Sequence, residues 1–349
     1  MGLPPTRGAM ARATVDPHGN RFYNEDCVEG ARRHLADRSV DLIVTDPPYG
    51  IEGDRLHRHY NRKESFVVEG YVDVPQKDYA DFSRRWIAEA ARVLRPGGAI
   101  YVVSGYTNLP AILGALRGAG LEEINHIVWK YSFGVFTRNK FVSSHYHILY
   151  YAKPGGERTF HTESRFGLAE KGSEGGSLNY DDREDVWVIG REYKPGRVKN
   201  KNELPTELLV KMIQYSSSEG DLVADLFLGG FSTAKAAIGL NRRFVGFEVS
   251  QPIFERKIRE MRHLIPGNLL PQLRIPRVEP RARQGERWTA AEAVALLERF
   301  RELRETRSKR EAIAVLSKEL GRGRWALEKR LVALGDSARS PRAPLPRFR

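Results

Sequence analysis

The residues whose types point most directly to chemistry are Asp46, Pro47, Pro48 and Tyr49. The exocyclic amino group of a nucleobase is a poor nucleophile because its lone pair is delocalised into the ring, so catalysis needs acceptors aimed at its N–H groups. The Asp46 carboxylate and a carbonyl held outward by the rigid ring of Pro47 would supply them. Tyr49 offers a flat face for an unstacked base. We interpret the segment as a site for a base rotated out of the duplex; an Asp-capped turn with two prolines is the structural alternative.

A second candidate site is the glycine-containing run Asp225-Leu226-Phe227-Leu228-Gly229-Gly230-Phe231-Ser232-Thr233. Glycines after a strand let the backbone approach a ligand closely, and an acid ending the next strand can accept both hydroxyls of a ribose. Glu248 lies 21 positions after Phe227 and could be that acid. The combination favours a ribose-containing cofactor such as S-adenosylmethionine over an ordinary strand-to-helix turn. No phosphate-binding Lys-Ser or Lys-Thr pattern is present, which argues against ATP hydrolysis.

Alternating strand and helix patterns surround both segments. The short β-branched run 40–45 predicts a buried parallel strand that ends at Asp46. Strands are also predicted over 99–104, 221–226 and 243–248, helices over 27–36, 79–94, 206–216 and 232–240, and a turn over 95–98. Such alternation predicts an α/β fold in which ligands bind at the carboxyl ends of the strands.

With these motifs in this order, the chain resembles the amino-methylating DNA methyltransferases of the permuted, or beta, class. In that class the Asp-Pro-Pro-Tyr motif precedes the target-recognition region and the cofactor glycine motif comes last. The resemblance covers roughly 21–261, including Asn24-Glu25-Asp26-Cys27 and Leu94-Arg95-Pro96-Gly97-Gly98. It implies a Rossmann-like S-adenosylmethionine-dependent methyltransferase sheet with helices on both faces. It also implies catalytic roles for Asp46, Pro47, Pro48 and Tyr49, and cofactor binding by Asp26, Cys27, Asp46, Asp225, Phe227, Gly229, Ser232, Thr233 and Glu248.

Two segments depart from the family pattern. Phe231 stands where a second glycine is usual, and would crowd the turn unless Gly230 relieves it. A His-Pro-Thr-Gln-Lys-Pro type run appears only as Asn202-Glu203-Leu204-Pro205-Thr206. Because Asp begins the catalytic tetrapeptide, where cytosine-modifying members more often have Ser, we expect methylation of adenine N6. Cytosine N4 is the alternative, followed by an inactive DNA-binding protein with the same fold; RNA or a protein glutamine is a disfavoured substrate.

Charge points to a polyanionic partner. The formal net charge is +13, and residues 272–349 hold 20 Lys and Arg against 10 Asp and Glu. Such a surplus favours double-stranded DNA, although a solubilising tail is the alternative. No apolar run is long enough for a membrane span and no signal sequence is recognisable, so we expect a cytoplasmic protein. The single cysteine, Cys27, argues against disulfides and structural metal.

Composition predicts five regions. They are a flexible start at 1–20, a methyltransferase domain at 21–270 with a target-recognition insert at 153–201, a linker at 271–286, a small all-α module at 287–335 and a disordered tail at 336–349. The module resembles a three-helix helix-turn-helix or Myb-type unit, with Arg322, Arg324, Lys329 and Arg330 facing DNA. A protein-docking or dimerisation bundle is the alternative. The oligomeric state is open, with a homodimer and a cognate restriction endonuclease among the partners to be tested.

Overall fold

The computed structural model describes residues 12–49, 74–131, 137–192, 203–277 and 287–335. The chain divides into unit 1, Met1–Arg277, and unit 2, Val278–Arg349. The predicted tail at 336–349 lies outside the described residues, as do positions 1–11 of the predicted flexible start and 278–286 of the predicted linker.

Unit 1 is organised around one mixed β-sheet. In the described residues its strands are β1 (Arg12–Val15), β2 (Arg21–Asn24), β3 (Val40–Thr45), β4 (Leu94–Ser104), β5 (Glu122–Lys130), β6 (His145–Ala152), β7 (Val186–Val188), β8 (Leu222–Asp225) and β9 (Arg243–Phe247). Their order across the sheet is β1-β2-β9-β8-β3-β4-β6-β5-β7. The central strands β2, β9, β8, β3 and β4 are parallel, whereas β6 is antiparallel to both β4 and β5.

Helices cover both faces of this sheet. They are α1 (Cys27–His34), α2 (Tyr79–Val93), α3 (Leu109–Gly118), α4 (Leu178–Asp182), α5 (Thr206–Ser216), α6 (Ser232–Gly239) and α7 (Gln251–Met261). Residues of α1, α2 and α3 pack in one apolar cluster, and residues of α5, α6 and α7 pack in the other. Alternate residues of β3 enter opposite clusters, Leu42 one and Ile43 the other. The central strand is therefore buried on both faces, and the predicted α/β architecture is confirmed.

Several boundaries follow the prediction closely. The strand 40–45 and the helix 206–216 are found at the predicted residues, the first ending at a proline pair and the second beginning after Pro205. The predicted turn at 95–98 is instead an irregularity inside β4, where the pairing with β3 shifts register. Between the pairs Val40–Leu94 and Leu42–Ala99, β4 accommodates three extra residues without ending the strand.

Three of the predicted regions contain ordered structure that composition does not predict. Residues 12–15 are not flexible but form β1, antiparallel to β2, with Asp16 accepting the backbone N–H groups of His18 and Asn20 to close the turn. Part of 153–201 continues the sheet, because β7 pairs with β5. Residues 271–277 belong to unit 1 rather than to a linker, since the Arg274 side chain and the Arg277 N–H both bond to Glu170.

Unit 2 contains α8 (Ala290–Thr306), α9 (Lys309–Glu319) and α10 (Arg324–Ala333). The predicted capping box of Thr289 and Glu292 is present, and Ser308 with Glu311 forms a second. The helices enclose a small apolar core of Leu296, Phe300, Leu303, Ala312, Ile313, Leu316, Leu327 and Leu331. No helix in the described part of the chain combines the length and apolar character needed to cross a membrane.

Candidate active site at the carboxyl edge of the sheet

The two candidate motifs meet at one edge of the sheet. Strands β3 and β8 are parallel neighbours, so Asp46 and Asp225 lie at the same edge, and the Thr45 hydroxyl donates a 2.8 Å hydrogen bond to the Asp225 carboxylate. From this pair the chain continues from β3 to β4 on one side and from β8 to β9 on the other. Such a divergence opens a crevice where ligands bind in α/β folds. We call residues 46–49 the proline turn and residues 227–231 the glycine turn.

Distant side chains hold the proline turn. The Tyr79 hydroxyl, at the start of α2, donates to the Pro48 carbonyl at 2.8 Å. The Asn108 amide, just before α3, donates to the Tyr49 carbonyl. Among the described residues the Pro47 carbonyl forms no hydrogen bond, so it stays available as an acceptor. Sequence patterns do not identify Tyr79 or Asn108, because neither belongs to a recognisable motif.

Asp46 has an unusual electrostatic setting. Burial raises the pKa of its carboxyl to about 7, and the nearby Asp225 carboxylate acts in the same direction. The Tyr49 hydroxyl opposes this by donating a 2.8 Å hydrogen bond, and the positive charge of Arg191 also favours the ionised form. The Asp46 residue as a whole is partly exposed to solvent. It can therefore act as a charged acceptor and exchange a proton near neutral pH.

Aromatic rings pack beside the proline turn. The Tyr49 ring lies 5.8 Å from that of Tyr146, which in turn lies 5.7 Å from Trp129 and 5.6 Å from Tyr131. The Arg191 guanidinium sits 4.6 Å from the Tyr131 ring centre. This cluster limits the orientation of Tyr49. No spacing rule connects Tyr146 or Arg191 with the proline turn, so sequence reasoning misses both.

On the opposite side of the crevice, Glu248 closes β9 with a buried carboxylate. Its two oxygens accept the backbone N–H groups of Gly229 and Ser250, each at 2.8 Å. Burial raises the pKa of Glu248, while these two donors counteract the shift. Each oxygen keeps a further lone pair for a ligand hydroxyl.

The glycine turn needs its small residues. Gly229 has φ +46°, and a Cβ added there would meet only the Phe227 carbonyl oxygen at 3.8 Å. The space above Gly229 is thus open to a ligand. At Gly230 a Cβ would come within 2.4 Å of the Glu203 side chain, so a larger residue there would require this side chain to move.

Phe231 does not block the crevice. Its backbone is left-handed, with φ +61°, and its ring is fully buried. The ring stacks on Phe22 at 5.7 Å and meets Phe254 edge-on at 6.0 Å. The residue that replaces the family's second glycine therefore anchors the turn in the core instead of filling the ligand space.

Other predicted cofactor residues are distributed around the same edge. Asp225 is buried and accepts the Phe227 N–H at 3.0 Å as well as a bond from Thr233. Ser232 and Thr233 begin α6 directly after the turn. The Phe227 ring packs against Trp86 of α2 at 5.4 Å.

Asp26 and Cys27 lie at the start of α1. Asp26 is exposed and accepts the Val28 and Glu29 N–H groups as the N-cap of the helix. Cys27 is buried, and burial raises the pKa of its thiol. Asp26 therefore stabilises α1 whether or not it also contacts a cofactor.

The residues present fit S-adenosylmethionine. The Glu248 carboxylate provides acceptors for ribose hydroxyls, and the open space at Gly229 admits a ligand close to the backbone. Within the described residues the buried Ser250 hydroxyl beside them has no hydrogen-bond partner. No group of three or more His, Cys, Asp or Glu side chains in the same part of the chain is arranged to hold a metal ion.

The prediction that the Arg322 side chain of unit 2 faces DNA is wrong. Its side chain is 4% exposed, stacks 4.2 Å above the Trp288 ring and forms a 3.1 Å ion pair with Glu292. A cation held this way stabilises the unit and is not presented to phosphate. Lys329 is exposed and Arg330 half-buried, whereas the side chain of Arg324 lies outside the described residues.

Comparisons with known proteins agree with this geometry. Residues 40–259 match the sequence profile of the N6/N4 methyltransferase family, described as DNA methylase. The chain is 30% identical to the type II methyltransferase M.BamHI of Bacillus amyloliquefaciens over 66% of its own length, but spans only 54% of that protein. It is 28% identical to the DNA adenine methyltransferase YhdJ of Escherichia coli (strain K12), covering 74% of this chain and 86% of YhdJ.

A solved structure shares the fold. The putative DNA modification methylase TTHA0409 of Thermus thermophilus, determined in complex with S-adenosyl-L-methionine, superposes with a TM-score of 0.50 at 23% identity, covering 70% of this chain and 93% of that one. The strand order, the two facing turns and the match over most of unit 1 lead to one conclusion: the chain belongs to the N6/N4 DNA methylase family.

Proposed function

We propose that this protein transfers a methyl group from S-adenosylmethionine to the N6 amino group of an adenine rotated out of duplex DNA. The observation that carries the proposal is that the proline turn and the glycine turn follow two neighbouring strands whose last residues, Thr45 and Asp225, are hydrogen-bonded to each other. The proline turn presents acceptors suited to a base amine. The glycine turn presents an open backbone, and Glu248 after β9 presents an acid, which together suit the cofactor.

The chain's own groups account for the activation of the base. Asp46 and the Pro47 carbonyl accept the two N–H bonds of the amine, which favours the tetrahedral nitrogen whose lone pair can attack. When bound, S-adenosylmethionine supplies the electrophilic methyl group. Positive charge grows on the nitrogen during attack, and the buried Asp46 carboxylate stabilises it and can take up the released proton. Tyr49 offers its ring to the base while its hydroxyl orients Asp46.

Two features favour adenine. The tetrapeptide begins with Asp, as adenine-modifying members of the family more often do, and YhdJ, which the chain largely covers, is named as an adenine methyltransferase. Mass spectrometry of nucleosides from DNA treated with the protein and S-adenosylmethionine tests the assignment. N6-methyladenine is the expected product, whereas N4-methylcytosine would contradict the choice of base. Absence of both products despite calorimetric binding of S-adenosylmethionine would indicate an inactive DNA-binding protein.

Unit 2 supplies additional contacts to the DNA backbone in this proposal. This role is supported by the basic surplus of unit 2, where residues 278–349 hold 18 Lys and Arg against 10 Asp and Glu, and by the exposure of Lys329. Deletion of residues 284–349 should weaken duplex affinity and flatten its dependence on salt concentration, because fewer counterions would be released. Unchanged affinity and salt dependence would instead favour a protein-docking role.

Predictions about assembly and location accompany this function. A homodimer is tested by the sedimentation mass of the purified protein. A cognate restriction endonuclease is tested by whether methylated DNA resists cleavage in extracts of the source cells, and a cytoplasmic location by fractionating them.

A further inference from the structure

Phe141 is the most exposed large apolar side chain in the described residues, at 97% of its accessible surface. It lies in the connection between β5 and β6, where residues 137–144 are described. A phenylalanine this exposed adds almost no buried surface to the fold, so its whole ring is accessible to a molecule outside the chain.

Strand pairing places this connection at the edge where Asp46 lies. Ser104, the last residue of β4, pairs with His147, and Lys130 at the end of β5 pairs with His145. The Tyr131 N–H donates to the Ser144 carbonyl at 3.0 Å, which continues the hairpin beyond the sheet. Because β3 is parallel to β4, the hairpin projects from the carboxyl edge of both strands.

The hairpin also contacts the proline turn directly. Tyr146, at the start of β6, lies 5.8 Å from the Tyr49 ring. Phe141 precedes Tyr146 by five residues. An extended chain spans at most about 3.6 Å per residue, so the Phe141 backbone lies within about 18 Å of Tyr146.

Charge identifies the partner that suits this loop. Arg138 and Lys140 are exposed on either side of Asn139, and residues 137–144 contain no acid. Two cations can hold phosphates of a duplex, while the lone ring next to them can enter the base stack. A partner with an apolar protein surface would not need two cations next to the exposed ring.

We propose that Phe141 inserts into the duplex beside the target base pair and occupies the gap left when the base rotates toward Asp46. The inference rests on the proposed function. The ring stacks on the neighbouring bases and so offsets part of their unstacking. Arg138 and Lys140 hold the flanking phosphates, and Tyr49 receives the base.

The test uses the full-length protein and two duplexes containing the mapped target site. In one duplex the target is paired, and in the other it lies opposite an abasic position, which removes most of the barrier to rotation. Phe141→Ala should lower the single-turnover methylation rate about 10- to 100-fold on the paired duplex and less than about threefold on the abasic one. Phe141→Trp should restore the rate on the paired duplex to within about threefold of wild type.

A matched control lies at the opposite edge of the sheet. Ile265 is 69% exposed and follows α7, where the Gly267 N–H bonds to the Ile238 carbonyl near the end of α6. Ile265→Ala should change neither rate. Equal rates for Phe141→Ala and wild type on the paired duplex would overturn the proposal, and so would an equal loss on both duplexes, which would reveal a general structural effect.

Binding gives a readout that does not need methyl transfer. Duplexes carrying 2-aminopurine at the target position should show increased fluorescence with wild type and little increase with Phe141→Ala when the target is paired. If the wild-type protein rotates the base but transfers no methyl group, the proposed function is wrong while the insertion of Phe141 is supported. If both proteins give the same fluorescence, the proposed insertion of Phe141 is contradicted, whatever the methylation result.

Discussion

Asp46 and Glu248 each follow a buried parallel strand at the same edge of the sheet, and burial raises the pKa of both carboxyls. Their donors differ. Glu248 receives two backbone N–H groups, from Gly229 and Ser250. Asp46 receives one side-chain hydroxyl, from Tyr49, and faces the negative charge of Asp225.

This difference in hydrogen-bond donors distinguishes a carboxyl that binds a ligand from one that reacts with it. Fixed backbone donors favour the ionised form of Glu248 against the effect of burial and orient its oxygens, as suits a hydroxyl-binding group. Asp46 keeps acceptor capacity and a pKa of about 7, as suits a group that stabilises developing positive charge and takes a proton. The two turns differ in the same way: side chains from α2 and from the residue before α3 hold the proline turn, whereas Phe231 anchors the glycine turn in the core.

The largest effect is expected for Asp46→Asn. This change keeps the shape of the side chain but removes the negative charge and the proton acceptor, so the single-turnover methylation rate should fall at least about 10³-fold. Duplex affinity, measured by fluorescence anisotropy, should stay close to that of wild type. Asp81→Asn, at an exposed acid on α2, is the matched control and should keep full activity. If Asp46→Asn retained a tenth of the wild-type rate, Asp46 would not be required for the chemical step.

Phe231→Ala tests the anchoring of the glycine turn. Loss of a fully buried phenylalanine costs about 3–5 kcal/mol, so the unfolding temperature of unit 1 should fall by about 6–20 °C. Methylation at low temperature with saturating cofactor should change little, because the ring lies in the core and not in the crevice. Phe141→Ala is the stability control and should leave the unfolding temperature unchanged. A loss of activity at low temperature without a loss of stability would contradict the anchoring role.

Glu248→Gln should act on cofactor binding. The amide cannot accept from both backbone donors and ribose hydroxyls as a carboxylate does, and hydrogen bonds to a charged group contribute about 1.5–3 kcal/mol. Calorimetry should show S-adenosylmethionine affinity lowered about 10- to 100-fold, with the single-turnover rate at saturating cofactor close to that of wild type. Glu174→Gln, at an exposed acid, should alter neither quantity. A rate defect that saturating cofactor does not repair would give Glu248 a part in the chemistry.

The dependence of the methylation rate on pH tests the titration of Asp46 in the wild-type protein. Because the ionised form of Asp46 is needed and its pKa is raised to about 7, the rate at saturating cofactor should rise through neutral pH and be about tenfold lower one pH unit below that pKa than at its alkaline plateau. Removing the hydroxyl in Tyr49→Phe should move the midpoint to higher pH, since that hydroxyl stabilises the carboxylate. A flat profile across neutral pH would contradict the role of Asp46 as a titrating acceptor.

Local sequence signals predict the elements but not the contacts between them. The strand ending at Thr45 and the helix beginning at Thr206 could be placed because apolar periodicity and flanking prolines are local features. Tyr79 and Asn108 reach the proline turn from 31 and 59 residues away, and no spacing rule encodes that convergence.

Context also determines what an individual residue does. Residue type and spacing predict that Arg322, between two glycines, faces DNA, yet Trp288 and Glu292, the latter 30 residues away in the sequence, enclose it. In the opposite sense, the family pattern predicts that Phe231 crowds the cofactor turn, but two phenylalanines far apart in the sequence, Phe22 and Phe254, line the space that receives its ring. Both outcomes depend on tertiary packing, which residue type and spacing do not determine.

The smallest effect is expected for Tyr79→Phe, which removes the hydroxyl that donates to the Pro48 carbonyl and leaves the buried ring in place. A neutral hydrogen bond contributes about 0.5–1.5 kcal/mol, so a rate reduction of about 3- to 10-fold is expected if the bond orients the acceptors of the proline turn. Tyr101→Phe removes a comparable neutral hydroxyl bond, with the Ser216 hydroxyl at the end of α5, outside the crevice and serves as the control. Were both variants to lose the same stability and neither to lose rate, the Tyr79 bond would support the fold alone. A rate loss confined to Tyr79→Phe would instead mean that the orientation of the acceptors depends on α2, and that Asp46, unlike Glu248, relies on distant elements for its geometry.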